Sequence, residues 1–523
     1  MAFTRKNVWQ NGGTFADPTI LWYARGVKAM RTRALQDVLG WRFYAAIHGF
    51  NKSKWQQHGY FATGDRMPSD GDIADFWDEC QHGSWYFLPW HRGYLIALET
   101  VIRDAIKDMP GAPADWALPY WNYFKANQNA LPPAFASPTW PDGGDNPLFE
   151  KHRYGMRGDG KVFVPQDMPN VVNLKALGDP EFTGAADGGS VGFGGVETDP
   201  LFSHGGFRHG GLESQPHDQV HGLVGGRSAQ TGVRGLMSDP DTAGLDPIFY
   251  LHHCNIDRLW ETWRKNPTTH VDPPDDNWRK GPAPAGERAF VLPQPGGRRF
   301  TYTPADMSDL SRLAYQYDDV SPPAGRPHVV ARLEALGAPA AAAPAQARRI
   351  AMARRRNVEL LGANNQSIRL TGNEARTSLA LEPSVKNKVA NSLTAARAQA
   401  ADAAAAPTPD RIFLNLENVR GVHDGTVFTV YINVPEGADP AQYPDHVAGS
   451  IGLFGVSKAS VADDKHTGEG LTYVLEISHI IDALHLSGAL DAGQIHVRLV
   501  PLTPVPDEEQ ISIGRISVYR QGG

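Results

Sequence analysis

The chain has 523 residues, of which 41% are hydrophobic and 20% charged, and carries a net charge of −7. That length exceeds one ordinary core and calls for two or three domains. The negative balance argues against nucleic acid as the main partner. The opening MAFTRKNVWQNGGTF lacks the apolar run of a signal peptide, and no later segment is as long as a membrane span. A cytoplasmic protein without a membrane partner is therefore expected. Two cysteines, Cys80 and Cys254, are too few for a disulfide framework. Homo-oligomer formation is left open.

In chain order, ALQDVLGWRFYAAIHGF (34–50) repeats apolar residues at three- and four-residue steps, which places His48 near the end of an amphipathic helix. The same spacing in WHRGYLIALETVIRDAI (90–106) sets His91 at the start of another. Residues 125–215 are rich in Gly and Pro and read mostly as loop. His217 and His221 follow Pro216, a good first-turn residue, and four-residue spacing puts them on one helical face. His253 lies in PIFYLHHCNIDRLWETWR (247–264), also helical in pattern. Pro-rich irregular cover follows up to about residue 325.

Residues 326–357 read as an Ala-, Pro- and Arg-rich linker, and the Ala-biased stretch 394–409 as a long surface loop. From 358 the texture changes to short alternating strands, including RIFLNLENV, TVFTVYINV, LTYVLEIS and QIHVRLVPL, punctuated by turn residues. That is the pattern of an antiparallel β-sandwich or barrel. The expected fold is α+β and multidomain. A helical domain with a four-helix core spans 1–325, the linker 326–357, and a β-sandwich domain 358–523.

Six histidines fall in two sets inside aromatic runs: His48, His82 and His91, then His217, His221 and His253. One HxxxH pair alone is as often non-metal as metal. A third histidine on a separate helix in each set gives three-point ligation with one position open. Without carboxylate or thiolate ligands, such sites favour copper or zinc. Asp257, four residues beyond His253, is placed to brace an imidazole; Arg92 and Arg258 to neutralise carboxylates; Glu99 to follow His91 by two turns. His252 should point about 100° away from its neighbour. His204 and His209 read as loop residues, His58 and His152 as surface residues, and Cys254 as packing beside His253.

These residues resemble the type-3 copper proteins: tyrosinases, catechol oxidases and molluscan haemocyanins. The motifs are H48…C80-Q-H82…F87-L-P-W-H91-R92 and E213-S-Q-P-H217-D-Q-V-H221…D246-P-I-F-Y-L-H-H253-C-N-I-D257-R258-L-W. The C-terminal strands are similar to the shielding domain of plant polyphenol oxidases. The resemblance implies that the two histidine sets hold two copper ions, with O2 as co-substrate and small phenols as substrates. The implied activity is a tyrosinase's: ortho-hydroxylation of monophenols and oxidation of o-diphenols to o-quinones.

The resemblance also implies a Cys80–His82 thioether, and a Glu213 that holds a water near the second copper. Asp218 stands where strongly monophenol-active relatives often carry Asn, leaving two carboxylates facing one water. Gly222 and the 237–245 loop near Pro240 are expected at the substrate entrance. Leu453 and Phe454 are the candidates for a plug pushed in by a C-terminal lid. Alternatives are a catechol oxidase or o-aminophenol oxidase without hydroxylation, a haemocyanin-like O2 carrier and, more remotely, a dizinc hydrolase.

Overall fold

The computed structural model describes residues 3–168, 170–198, 207–265, 270–283, 287–322, 328–339, 357–398, 408–463 and 467–522. Its N-terminal part is built around helices α1 (Pro18–Arg31), α2 (Trp41–His48), α3 (Phe87–Ile106), α4 (Gln219–Gly225) and α5 (Pro247–Arg264). Local chemistry fixes their starts. Asp17 and Asp246 each accept a backbone N–H in the first turn, and Pro18 and Pro247 occupy positions where no N–H is needed. Helix α1 approaches α3 closely at Gly26, where a Cβ would lie 2.6 Å from Ile102 Cγ2.

A buried charge network ties this core together. Arg5 reaches Glu99 at 2.9 Å and Asp257 at 3.2 Å, and Arg92 reaches Asp257 at 2.5 Å and Glu261 at 2.7 Å. The hydroxyls of Tyr315 and Tyr317 donate to the same Asp257 oxygen. The segments Phe3–Arg5 and Tyr315–Tyr317 pair in parallel, so the start of the chain closes against the end of the helical part.

The C-terminal part contains α6 (His328–Ala335), α7 (Pro383–Ala398) and α8 (Ser478–Leu486). Its strands are β1 (Val358–Ala363), β2 (Ile368–Arg369), β3 (Ala375–Leu381), β4 (Arg411–Arg420), β5 (Val427–Ile432), β6 (Val447–Gly452), β7 (Leu471–Glu476), β8 (Gln494–Pro501) and β9 (Ser512–Gln521). They form one antiparallel sheet in the order β6-β5-β8-β3-β1-β9-β4-β7, with β2 on β9. The sheet curls in a barrel-like way until its ends meet. A Cβ on Gly449 in β6 would lie 2.9 Å from Leu475 of β7.

Two expectations change here. The segment read as linker begins with α6, whose Arg332 bonds Asp482 at 2.7 Å and the Asp410 carbonyl at 2.6 Å. Its apolar face finds a partner, so it folds onto the sheet domain. Residues 394–398 close helix α7 rather than open a loop, because Val385, Val389, Leu393 and Ala396 recur at helical spacing and are buried. The remainder of both Ala-rich stretches, 340–356 and 399–407, lies outside the described residues.

The two parts meet over a broad face. Arg234 pairs with Glu509 at 2.7 Å, and Lys458 with Asp241 at 2.8 Å and Asp78 at 3.3 Å. Leu453 packs in the core of the sheet domain, whereas Phe454 belongs to the core of the helical part. Adjacent residues on an extended segment point to opposite sides, so one stays home and the other crosses. No described helix is long and apolar enough to cross a membrane.

Candidate metal centre

Side-chain ligand atoms of His48, Cys80, His82 and His91 lie within 4.8 Å of one another, and those of His217, His221, His252 and His253 form a second such group. All eight residues are buried. His48 ends α2 and His91 sits one turn into α3, but His82 stands on the non-helical approach to α3. The first set therefore draws on two helices and a loop, not three helices. His217 lies just before α4 and His221 within it; His252 and His253 lie on α5. The rings touch across the sets, with His91 stacked on His253 at 4.4 Å between centroids.

Hydrogen bonding fixes the tautomers. The Nδ1 atoms of His48, His91 and His221 lie 3.0, 2.8 and 2.7 Å from the carbonyl oxygens of Pro240, Phe87 and Met237. A carbonyl only accepts, so Nδ1 carries the proton and the Nε2 lone pair is left for a metal. His82 and His217 do the same against carboxylates: Nδ1 of His82 is 2.7 Å from Glu213 and Nδ1 of His217 is 2.9 Å from Asp218. Nε2 of His217 has no hydrogen-bond partner among the described residues. Burial pushes all six imidazoles below their ordinary range, His221 to about 3, so they are neutral ligands at pH 7. This donor set fits two soft-to-borderline metal ions.

Several roles drawn from the sequence move. Asp257 does not touch His253, whose Nδ1 has no partner among the described residues. Its carboxylate is captured by Arg5, Arg92 and the two tyrosines, a stronger set of donors. Glu99 is held by Arg5, Arg103 and the Leu118 N–H. Arg92 does neutralise carboxylates, whereas Arg258 bonds Asn255 and the Asp319 carbonyl and lies over Tyr120. Pro240 lends its carbonyl to His48 of the first set, so the 237–245 loop spans both sets. Gly222 is covered by the sheet domain: a Cβ there would lie 2.8 Å from Val427.

Cys80 is buried with its sulfur 3.3 Å from His91 Nε2, and burial raises its thiol pKa. Cys254 is buried in the helical core beside His253. His252 is not turned away; its ring stacks on His217 at 5.4 Å and its Nδ1 meets the Tyr123 hydroxyl at 3.2 Å. His58 is buried, 4.7 Å from His152 between ring centroids, and is therefore no surface residue. His204 lies outside the described residues.

His209 is the main residue that the sequence underrates. It is buried, with Nδ1 2.7 Å from Asp218 and 4.0 Å from Glu213. It thus separates the two carboxylates that were expected to face one water. Burial lowers its pKa, but Asp218 and Glu213 more than reverse this and raise it to about 9. Both carboxylates are themselves shifted up, by burial first. The sequence signal was two carboxylates five residues apart beside a ligand histidine, which buried together demand a cation.

Phe454 completes the centre from the other domain. Its ring stacks on His221 at 4.0 Å and lies 5.5 Å from both His82 and His217.

Comparison with known proteins places this geometry. A sequence model described as the common central domain of tyrosinase matches residues 38–200 and 197–266. The chain is 31% identical to Tyrosinase HcTyr1 of Hahella sp. (strain CCB-MM4) over 536 residues, covering 99% of both chains. The chain belongs to the tyrosinase family. Members are oxidoreductases that act on phenols with O2, and the two histidine-rich groups are consistent with a dicopper centre.

Polyphenol oxidase E, chloroplastic, of Solanum lycopersicum is 32% identical over 206 residues, 38% of this chain and 33% of that protein. Residues 357–521 match a second model, described as a domain of unknown function (DUF7868). Among solved structures, latent apple tyrosinase (MdPPO1) superposes with a TM-score of 0.57 at 19% identity, covering 100% of this chain and 98% of that one. A latent aurone synthase (polyphenol oxidase) gives 0.54 at 18%, with 100% and 90% covered. These show that the helical core and the C-terminal sheet domain together form the fold of this family.

Proposed function

We propose that this tyrosinase-family chain hydroxylates monophenols ortho to the OH and oxidises o-diphenols to o-quinones, and that its C-terminal domain holds it latent. His48, His82 and His91 would hold one copper and His217, His221 and His253 the other. The bound pair supplies the O2 chemistry. The chain's residues orient and exclude. Carbonyls of Pro240, Phe87 and Met237 fix three rings. Phe249 packs on His48 at 4.7 Å and on His253 at 4.1 Å and keeps that wall apolar. A phenol has a pKa near 10, and ionising it at pH 7 costs roughly 4 kcal/mol. Glu213 and Asp218, which bond the Nδ1 atoms of His82 and His217, are the carboxylates we assign to handling that proton.

The observation that carries the latent reading is Phe454, an aromatic ring lying flat on His221 where a phenol ring would lie. Metal analysis of the full chain, with tyramine and catechol oxidation before and after Phe454→Ala, tests both parts. Fewer than two coppers per chain, or loaded protein inert to both substrates in the variant, rejects the reading.

A catechol oxidase without hydroxylation is the second reading, and one observation favours it. The two Asp218 oxygens already accept from His209 and His217. Asp218→Asn should shift the monophenol-to-diphenol activity ratio by roughly tenfold if this carboxylate handles the phenol proton. An unchanged ratio assigns it to positioning alone. The Cys80–His82 thioether remains part of this proposal. A tryptic peptide lighter by two hydrogens supports it, and an alkylatable Cys80 in copper-loaded protein rejects it.

A further inference from the structure

His209 reaches the second histidine set only because another domain holds it there. The N–H of Thr472 in β7 donates to the Phe207 carbonyl at 2.8 Å, and Arg208 pairs with Thr472 in a parallel bridge. Strand β7 is the last in the sheet order, so the segment 207–208 of the helical part ties to the sheet at that edge by one bridge. One residue on, the His209 ring lies 5.9 Å from Tyr473, the next residue of the same strand. Its Nδ1 then donates to Asp218 Oδ2 at 2.7 Å, and Asp218 Oδ1 accepts from His217 Nδ1 at 2.9 Å. A second tie runs parallel: the side-chain amides of Gln215 and Gln219, either side of His217, donate to the Ser450 carbonyl at 2.9 and 3.3 Å.

We infer that His209 is a positioning residue for the second metal, locking Asp218 and through it the His217 ring, and that the C-terminal domain is its support. The domain that carries the plug is thus also a brace. This inference rests on the copper reading above. A carboxylate left without its second donor in a dry site rotates or recruits a new partner, and the His217 tautomer loses its anchor. Glu213 lies 4.0 Å from His209 but has hydrogen-bond partners of its own in His82, Gly83 and Gly210, so the first set depends on His209 less than the second does. The effect is therefore expected mainly on one metal of the two.

The test uses full-length, copper-loaded protein in a Phe454→Ala background, so that access is equal throughout. His209→Leu removes the donor, His209→Asn keeps an N–H donor near the place of Nδ1, and Thr472→Pro removes the N–H that holds Phe207 from an edge position of β7. The readouts are copper released to a chelator, and KM and kcat for a diphenol. His209→Leu should lose one of its two copper equivalents about 10–100-fold faster than the parent and lower kcat more than it raises KM. His209→Asn should recover most of this, and Thr472→Pro should show a smaller change of the same kind.

Parent-like copper release in both His209→Leu and Thr472→Pro overturns the inference, as does an Asn variant no better than Leu at equal melting temperature. If His209→Leu does not fold, Thr472→Pro decides by the same criterion. A parent that takes up no copper rejects the functional reading itself, and this inference with it.

Discussion

The two histidine sets differ in what holds them. The first is fixed within the helical part: the Pro240 and Phe87 carbonyls orient His48 and His91, and Glu213 orients His82. The second is shared between domains. The Met237 carbonyl holds His221, but the support of His217 runs through Asp218 and His209 to β7, and Phe454 lies on His221 from the same sheet domain. A cover attached this way cannot leave without altering what it covers. The asymmetry predicts that changes at the domain interface register more strongly on the second metal than on the first.

The most severe way to sharpen that contrast is to remove one ligand from each set. His48→Ala and His221→Ala should each cut copper from two to one per chain and abolish phenol oxidation, measured by metal analysis and quinone formation. Only His48→Ala should keep the stacking of Phe454 on His221. Next in size is the plug. Phe454→Ala should raise kcat/KM of the full chain by about tenfold or more, the factor expected if under a tenth of molecules are open. An unchanged kcat/KM would mean that Phe454 does not limit access.

A smaller effect is expected at the polar edge of the interface. Lys458 reaches Asp241 at 2.8 Å and Asp78 at 3.3 Å, with Asp241 also bonded by Lys54 at 2.9 Å. Lys458→Ala leaves the buried Asp241 with Lys54 alone and the half-exposed Asp78 without this cation, and should weaken docking by about 1–2 kcal/mol. A lowered first melting transition with a gain in phenol oxidation would show this. Unchanged melting would place the docking energy in the apolar contacts instead.

The subtlest test is pH. Asp424 accepts from Ser457 beside this cluster, and burial followed by the nearby Asp239 raises its pKa to about 7. A raised carboxyl favours the folded state while it is protonated. Its contribution is full below its unfolded value near 3.8 and fades as pH rises through about 7. Asp241 has the opposite sign: burial raises it, Lys458 and Lys54 pull it further down to about 2, and its contribution is lost as pH falls from 3.8 through 2. Asp424 alone therefore contributes a decline from mildly acid to neutral pH, set against the rise that the buried neutral histidines contribute over the same range, and Asp424→Asn should make the net melting profile rise more steeply. A variant with the same slope would remove Asp424 from the interface balance.

Much of the centre was legible in one dimension because ligand histidines must be packed in apolar helices at helical spacing. His48, His91, His217, His221 and His253 all announce themselves this way. His82 does so only by its neighbours Cys80 and Trp85, since it sits on a loop. The partners were far less legible. Asp257 had the right spacing to brace His253, but two arginines distant in sequence compete for it and win on charge. That Gly222 is covered was equally hidden, because nothing in its neighbourhood reveals that Val427, some two hundred residues later, presses on it.

What the sequence alone determined is the local part: which histidines gather into groups able to hold a metal, which segments are helix or strand, and where the texture passes from a helical part to a sheet. Periodicity and residue type encode these within a few turns of chain. What only the tertiary structure decided is pairing over long separations: His209 between two carboxylates, Phe454 rather than Leu453 across the interface, and Thr472 holding the loop that places His209. Those choices follow from competition among buried charges and from which face of a strand meets the other domain. No short window of sequence contains both competitors.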